Sequence, residues 1–143
     1  MTPTLQVGDR LFVDKIIYKA TSLKREDIVV FAPPPEAKAL LDATHKNEDL
    51  IKRIIGLPGD KVQIANGKVM INDKPLIETY LAQKPDYTFG PVIVPNDSVF
   101  VLGDNRNSSL DSHYWGFLPI KNIIWRAVFK YWPINSIGGL NDK

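Results

Sequence analysis

The feature that most narrows this chain is its punctuation. Eleven prolines and nine glycines cut 143 residues into short apolar runs separated by turn signals. Proline fixes φ and removes a backbone donor, and glycine supplies conformations that other residues avoid, so such a chain has many turns and few long helices. The runs themselves favour strands. Residues 10–17 alternate, with Leu11, Val13 and Lys15 against Phe12, Asp14 and Ile16. Ile28-Val29-Val30-Phe31 is β-branched and stops at Pro33-Pro34-Pro35. Leu50 to Ile55 reads as a strand ended by Gly56-Leu57-Pro58-Gly59. Val62 and Ile64 share one face and Val69 and Ile71 another, around Asn66-Gly67. Asn-Gly provides the two positive φ angles of a tight hairpin turn. Val92-Ile93-Val94, Val99 to Leu102 and Ala127 to Trp132 complete the predicted strands. Residues 36–49 are polar and read equally as a helical turn or a loop; residues 72–90 are turn-rich, and 120–124 suggest a helical turn. The expectation is one all-β domain over 1–143, built of antiparallel β-sheets.

Composition excludes several functions. The net charge of +2, with scattered basic residues, gives no electrostatic footprint for nucleic acid. The chain has no cysteine, so neither a disulfide framework nor a cysteine metal site can form. No run reaches the ~18–20 apolar residues of a membrane span, and Met1-Thr2-Pro3-Thr4 does not open a signal peptide. The chain therefore reads as soluble as written, or as a piece of an anchored protein.

Three segments carry more specific residues than folding needs: Met1–Leu5 with Gly8-Asp9, Ile51–Asp60, and Gly103–Gly116. Lys52 lies in the apolar run Leu50, Ile51, Ile54, Ile55, on the same face as Leu50 and Ile54 by strand alternation. A lysine there either reaches water along its stem or sits dry. Taken alone, the solvent-reaching strand lysine is the commoner case. The dry alternative lowers its pKa, since burial disfavours the ammonium, and a neutral amine could then take a proton from a serine hydroxyl. In the Gly103–Gly116 segment, Asp104, Arg106 and Asp111 can fix a polar loop through charge-assisted hydrogen bonds, while Ser108, Ser109 and Ser112 could orient an amine. A tight turn held by local side-chain bonds accounts for the same residues. Asn107-Ser108-Ser109 matches a glycosylation sequon, which reads as chance. His45 and His113 have no metal-ligand spacing, and a triad through His113 is the weaker reading. Gly56–Lys61 lacks the spacing and ending of a phosphate loop. Trp125, Phe129, Tyr131 and Trp132 read as core, with any exposed part suited to a membrane interface.

Together these segments resemble bacterial type I signal peptidases. The family pattern Ser-Met-x-Pro-Thr-Leu is matched from Met1 to Leu5, the Lys-Arg-apolar-apolar-Gly-x-Pro-Gly-Asp pattern from Lys52 to Asp60, and Gly-Asp-Asn-Arg at Gly103–Arg106. Ser-x-Asp-Ser follows at Ser109–Ser112 and Trp-Gly at Trp115-Gly116. Asp111-Ser112-His113, the proline triplet and Tyr131-Trp132-Pro133 look most like cyanobacterial and plastid members; His113 stands where other bacterial members have arginine.

The resemblance implies the signal-peptidase fold, all-β antiparallel sheets with a short β-hairpin insertion, shared with self-cleaving repressors. It implies removal of signal peptides from exported preproteins by a Ser/Lys dyad, after small residues at the first and third positions before the cut. Lys52 is then the general base and Ser109 orients its amine. Asp104, Arg106, Asp111 and Arg53 brace the site. Met1, Leu5, Leu50 and Ile51 line the apolar substrate pockets. No metal or cofactor is implied, and no nucleic acid. The implied partners are signal peptides and, through an upstream anchor, a plasma or thylakoid membrane with the catalytic domain on its periplasmic or lumenal side. In the family the nucleophilic serine directly precedes the methionine matched by Met1, so the chain as written is expected to fold without peptidase activity. Two other readings are a self-cleaving repressor-type protease and a non-catalytic domain that binds signal peptides or membranes.

Overall fold

The computed structural model describes residues 10–15, 23–132 and 138–139. In chain order the elements are β1 (Arg10–Lys15), β2 (Ile28–Phe31), α1 (Pro35–Lys38), β3 (Leu50–Gly56), β4 (Lys61–Ala65), β5 (Lys68–Ile71), β6 (Lys74–Pro75), β7 (Phe89–Ile93), β8 (Ser98–Leu102), α2 (Ser112–Trp115), β9 (Leu118–Pro119), β10 (Ile123–Trp132) and β11 (Gly138–Gly139). The larger sheet runs β1-β10-β2-β3-β8-β9, with β11 on β10; the smaller runs β6-β5-β4-β7. Every pairing among the described residues is antiparallel, so the all-β expectation stands.

β3 and β8 are the hinge of the architecture, because each feeds two cores. Ile54, Val99 and Val101 pack with Val29, Phe31, Trp115 and Leu118 on one side. Ile55, Phe100 and Leu102 pack with Val62, Ile64, Val69 and Ile71 on the other. Strands buried on both faces read as continuous apolar runs rather than alternating ones, which is how residues 99–102 read.

The hairpin forms at Asn66 and Gly67, with φ of 53° and 76°. Its faces differ from the sequence reading. Val62 lies opposite Ile71 and Ile64 opposite Val69, so all four side chains enter one core. Directly opposed residues of an antiparallel pair share a face whatever strand they come from. β7 begins at Phe89, earlier than the predicted Val92, and runs through Gly90-Pro91. Proline is tolerated there because β7 is the outer strand of its sheet, paired only with β4. The ambiguous 36–49 stretch opens with one helical turn, with Pro35 at its start, where a missing N–H costs nothing. Residues 120–122 form a single 3-10 turn, and β10 starts at Ile123 rather than Ala127. Residues 16–17 of the first predicted strand lie outside the described residues.

Candidate active site

β3 runs between β2 and β8, with Lys52 opposite Val29. The Lys52 Nζ donates a hydrogen bond to Ser109 Oγ at 2.9 Å. Burial lowers its pKa below the ordinary lysine value; the charges of Asp111 and Asp104 oppose the shift without cancelling it. Lys52 is half-buried, with its amine turned toward Ser109.

Gly103 makes the contact feasible. A Cβ there would stand 2.1 Å from Ser109 Oγ, 2.7 Å from Ser109 Cβ and 3.5 Å from Lys52 Nζ. Its backbone is thus the wall against which amine and hydroxyl meet. That wall is held at both ends: the Gly103 N–H donates to Asp111 Oδ2 at 3.0 Å, and its carbonyl accepts from Arg106 Nε at 2.9 Å.

Arg53, next along β3, is buried and pairs with Asp104 through both carboxylate oxygens, Nε to Oδ1 at 2.9 Å and Nη2 to Oδ2 at 2.8 Å. It also donates Nη1 to the Glu26 carbonyl at 2.9 Å. This fork geometry fixes a planar guanidinium in one orientation. Asp111 caps α2 by accepting from the His113 N–H, and its Oδ1 meets His113 Nδ1. Ser112 Oγ accepts from the Val101 N–H at 2.9 Å, tying the loop to β8. The His113 ring stacks on Tyr87, with centroids 4.0 Å apart.

The structure therefore brings together Lys52, Arg53, Asp104, Arg106, Ser109 and Asp111 from two distant segments. Leu50 and Ile51 are half-buried on the same strand, Leu50 against the Val29–Trp115 core. Met1 and Leu5 lie outside the described residues, as do the side chains of Phe129, Tyr131 and Trp132. Trp125, of the same aromatic group, is exposed. The second half of the Lys52–Asp60 segment is a structural turn. Asp60 accepts from the Leu57 N–H at 2.9 Å and from Arg25 Nη2 at 2.7 Å. Burial pushes the Asp60 carboxyl up, but Arg25, Leu57 and Asn72 together hold it below the usual carboxylate range.

Sequence reasoning missed Glu78 and Tyr80, in the connection between β6 and β7. Glu78 accepts from both terminal nitrogens of Arg106, at 2.8 and 2.5 Å, and from the Tyr80 hydroxyl at 2.7 Å. The Arg53 guanidinium lies over the Tyr80 ring, 3.8 Å from its centroid. The region reads as turn-rich, and nothing in it announces a buried acid.

Chemically, the arrangement is a desolvated amine on a rigid strand, hydrogen-bonded to a hydroxyl and braced by two buried ion pairs. Burial holds the amine below the ordinary lysine range, which favours its neutral, proton-accepting form.

The chain is similar to known proteins along most of its length. The signal peptidase, peptidase S26, family profile matches residues 1–132. Signal peptidase I of Leptolyngbya laminosa is 52% identical over 140 residues, covering 98% of this chain and 68% of that protein. Probable signal peptidase I-2 of Synechocystis is 49% identical over 142 residues, covering 99% of this chain and 63% of that protein. Probable thylakoidal processing peptidase 2 of Arabidopsis thaliana is 45% identical over 141 residues, and the chain spans 38% of its length. A crystal structure of signal peptidase I from Enterococcus faecalis matches with a TM-score of 0.58 and 29% identity, covering 71% of this chain and 92% of that one.

Proposed function

This chain belongs to the signal peptidase family, peptidase S26, and from that premise we propose that it is the catalytic domain of a serine endopeptidase that removes signal peptides, with Lys52 as its general base. One observation carries the assignment: the half-buried Lys52 amine, held 2.9 Å from Ser109 Oγ, with its pKa pushed down by burial.

A serine hydroxyl is a weak nucleophile until an adjacent base takes its proton. The family pattern puts that serine directly before the residue numbered Met1. Neutral Lys52 accepts its proton as the oxygen attacks the scissile carbonyl. The resulting ammonium then returns the proton to the departing amine. The same amine activates the water that hydrolyses the acyl intermediate, a serine–lysine variant of the triad logic. Ser109 keeps the lone pair aimed, and the Arg53–Asp104 and Arg106–Gly103 contacts keep Ser109 and Lys52 in register. The substrate enters as an added strand beside the half-buried Leu50 and Ile51. The likeness to cyanobacterial and thylakoid relatives supports action at a plasma or thylakoid membrane.

The test uses a signal-peptide substrate and three proteins: the 143-residue chain, the same chain with a serine placed before Met1, and that extended chain with Lys52→Ala. Cleavage is expected only from the second, with kcat/KM rising as pH rises through the Lys52 pKa. Cleavage that survives Lys52→Ala would overturn the assignment.

A further inference from the structure

The two buried arginines of the site converge on one point outside every motif. Arg53 reaches it through the Tyr80 ring, and Arg106 through the Glu78 carboxylate. The Tyr80 hydroxyl then joins the two by donating to Glu78 Oε2 at 2.7 Å. Burial, reinforced by the Glu78 charge, holds the Tyr80 phenol far above its ordinary range, so it stays protonated and stays a donor. Glu78 is 5% exposed and Arg106 fully buried, so neither has water as an alternative partner. The Tyr80 hydroxyl has a second, longer acceptor in reach, Glu26 Oε1 at 3.4 Å.

We propose that Glu78 and Tyr80 are positioning residues for the Lys52–Ser109 pair, acting through Arg106 and Arg53 on the Gly103 wall. This rests on the assignment of Lys52 as the base. The path is short. Glu78 fixes the Arg106 guanidinium; Arg106 Nε holds the Gly103 carbonyl; Gly103 sets the distance between Ser109 and the amine. On the other arm, Tyr80 supports Arg53, whose neighbour on β3 is Lys52 and whose partner Asp104 follows Gly103. A charge-assisted, two-pronged pair fixes direction as well as distance, which one hydrogen bond does not. Small displacements matter here, because a dry amine and its hydroxyl tolerate far less misplacement than solvated groups do.

The groups that face Lys52 are Asp104 and Asp111, with Arg53 and Arg106 behind Asp104 and His113 behind Asp111. Loosening Gly103 lets water reach the amine and weakens its bond to Ser109, which returns the lysine toward its ordinary titration. A merely structural role for Glu78 would lower stability and leave that titration in place.

The experiment is a lysine-side-chain NMR titration of Lys52 in the 143-residue chain. Glu78→Gln keeps the shape and removes the charge; Tyr80→Phe keeps the ring under Arg53 and removes the hydroxyl. The Lys52 midpoint is expected to rise by about one pH unit in Glu78→Gln and by less in Tyr80→Phe. The double variant should match Glu78→Gln, because the hydroxyl acts through the carboxylate. Exposed Lys74→Ala should change nothing. If Glu78→Gln does not fold, the milder Tyr80→Phe decides. An unmoved or lowered Lys52 midpoint in a folded variant overturns the proposal, since loss of the Glu78 charge alone would only lower it. Cleavage surviving Lys52→Ala would instead overturn the assignment beneath it, so the two failures are separable.

Discussion

Lys52 shows what the site costs the fold. An amine at this place is desolvated, and its charged form is disfavoured relative to water. The sign of the effect follows from linkage. The unfolded chain keeps an ordinary lysine, whose pKa lies above the folded value. Below the folded pKa both states hold the proton, and the folded state bears the full desolvation penalty. As pH rises from the folded to the unfolded value, the unfolded state holds more protons and stability increases. Lys52→Met fills the same space without a charge. It is expected to raise Tm by about 3 °C near pH 6, with the advantage shrinking toward pH 10. Thermal melts across pH check this. An advantage that does not depend on pH would mean that packing, not ionisation, separates the two side chains. Gly103 carries the complementary lesson: there the needed feature is a missing atom, since a Cβ would occupy the volume of the Ser109 hydroxyl.

At the scale of elements, β3 is a strand whose polar members are locked from outside it. Arg53 has 1% of its side chain exposed and Asp104 none. Buried pairs of this kind are weak sources of net stability, but removing one partner strands a charge. Asp104→Ala is expected to lower unfolding free energy by about 3–5 kcal/mol, and Arg53→Met added to it should recover most of that loss. Urea denaturation of the single and double variants measures it, and a double variant no better than Asp104→Ala would refute the stranded-charge account. Elements also differ in how far the sequence discloses them. The β4–β5 hairpin is legible because its partners adjoin and Asn66-Gly67 specifies the turn. β2 is legible because the proline triplet ends it. The common face of Val62, Ile64, Val69 and Ile71 is not, because it is a property of register and not of either strand. β7 is obscured by Gly90-Pro91, signals of a turn that an outer strand can absorb. In the site, Lys52 and the Gly103–Gly116 loop announce themselves by dense polar patterning in an apolar setting. Glu78 meets Arg106 across 28 residues, and no local pattern specifies so distant a pairing.

At the scale of the molecule, the two cores are not independent, because β3 and β8 form the floor of both. Alternate residues of β8 go to opposite sides, Val99 and Val101 to the core holding Trp115, Phe100 and Leu102 to the core under the hairpin. Damage to one core must therefore distort the strands on which the other is built, and with them the strand that carries Lys52. Phe100 is the sharpest probe. It is fully buried, and its ring lies 5.3 Å from Phe89 and 6.2 Å from Phe117. Phe100→Ala is expected to lower stability by about 3–5 kcal/mol, the cost of a large cavity in a core that cannot collapse around it. Trp115 reports from the opposite core when Trp125 and Trp132 are replaced by phenylalanine. If the sheets fold as one unit, Phe100→Ala moves the Trp115 fluorescence transition and the far-ultraviolet circular dichroism transition by the same amount. Should the small sheet melt by itself, Trp115 would keep its original midpoint while the dichroism signal split in two. The joint transition is the expected one, since β3 and β8 contribute side chains to both cores.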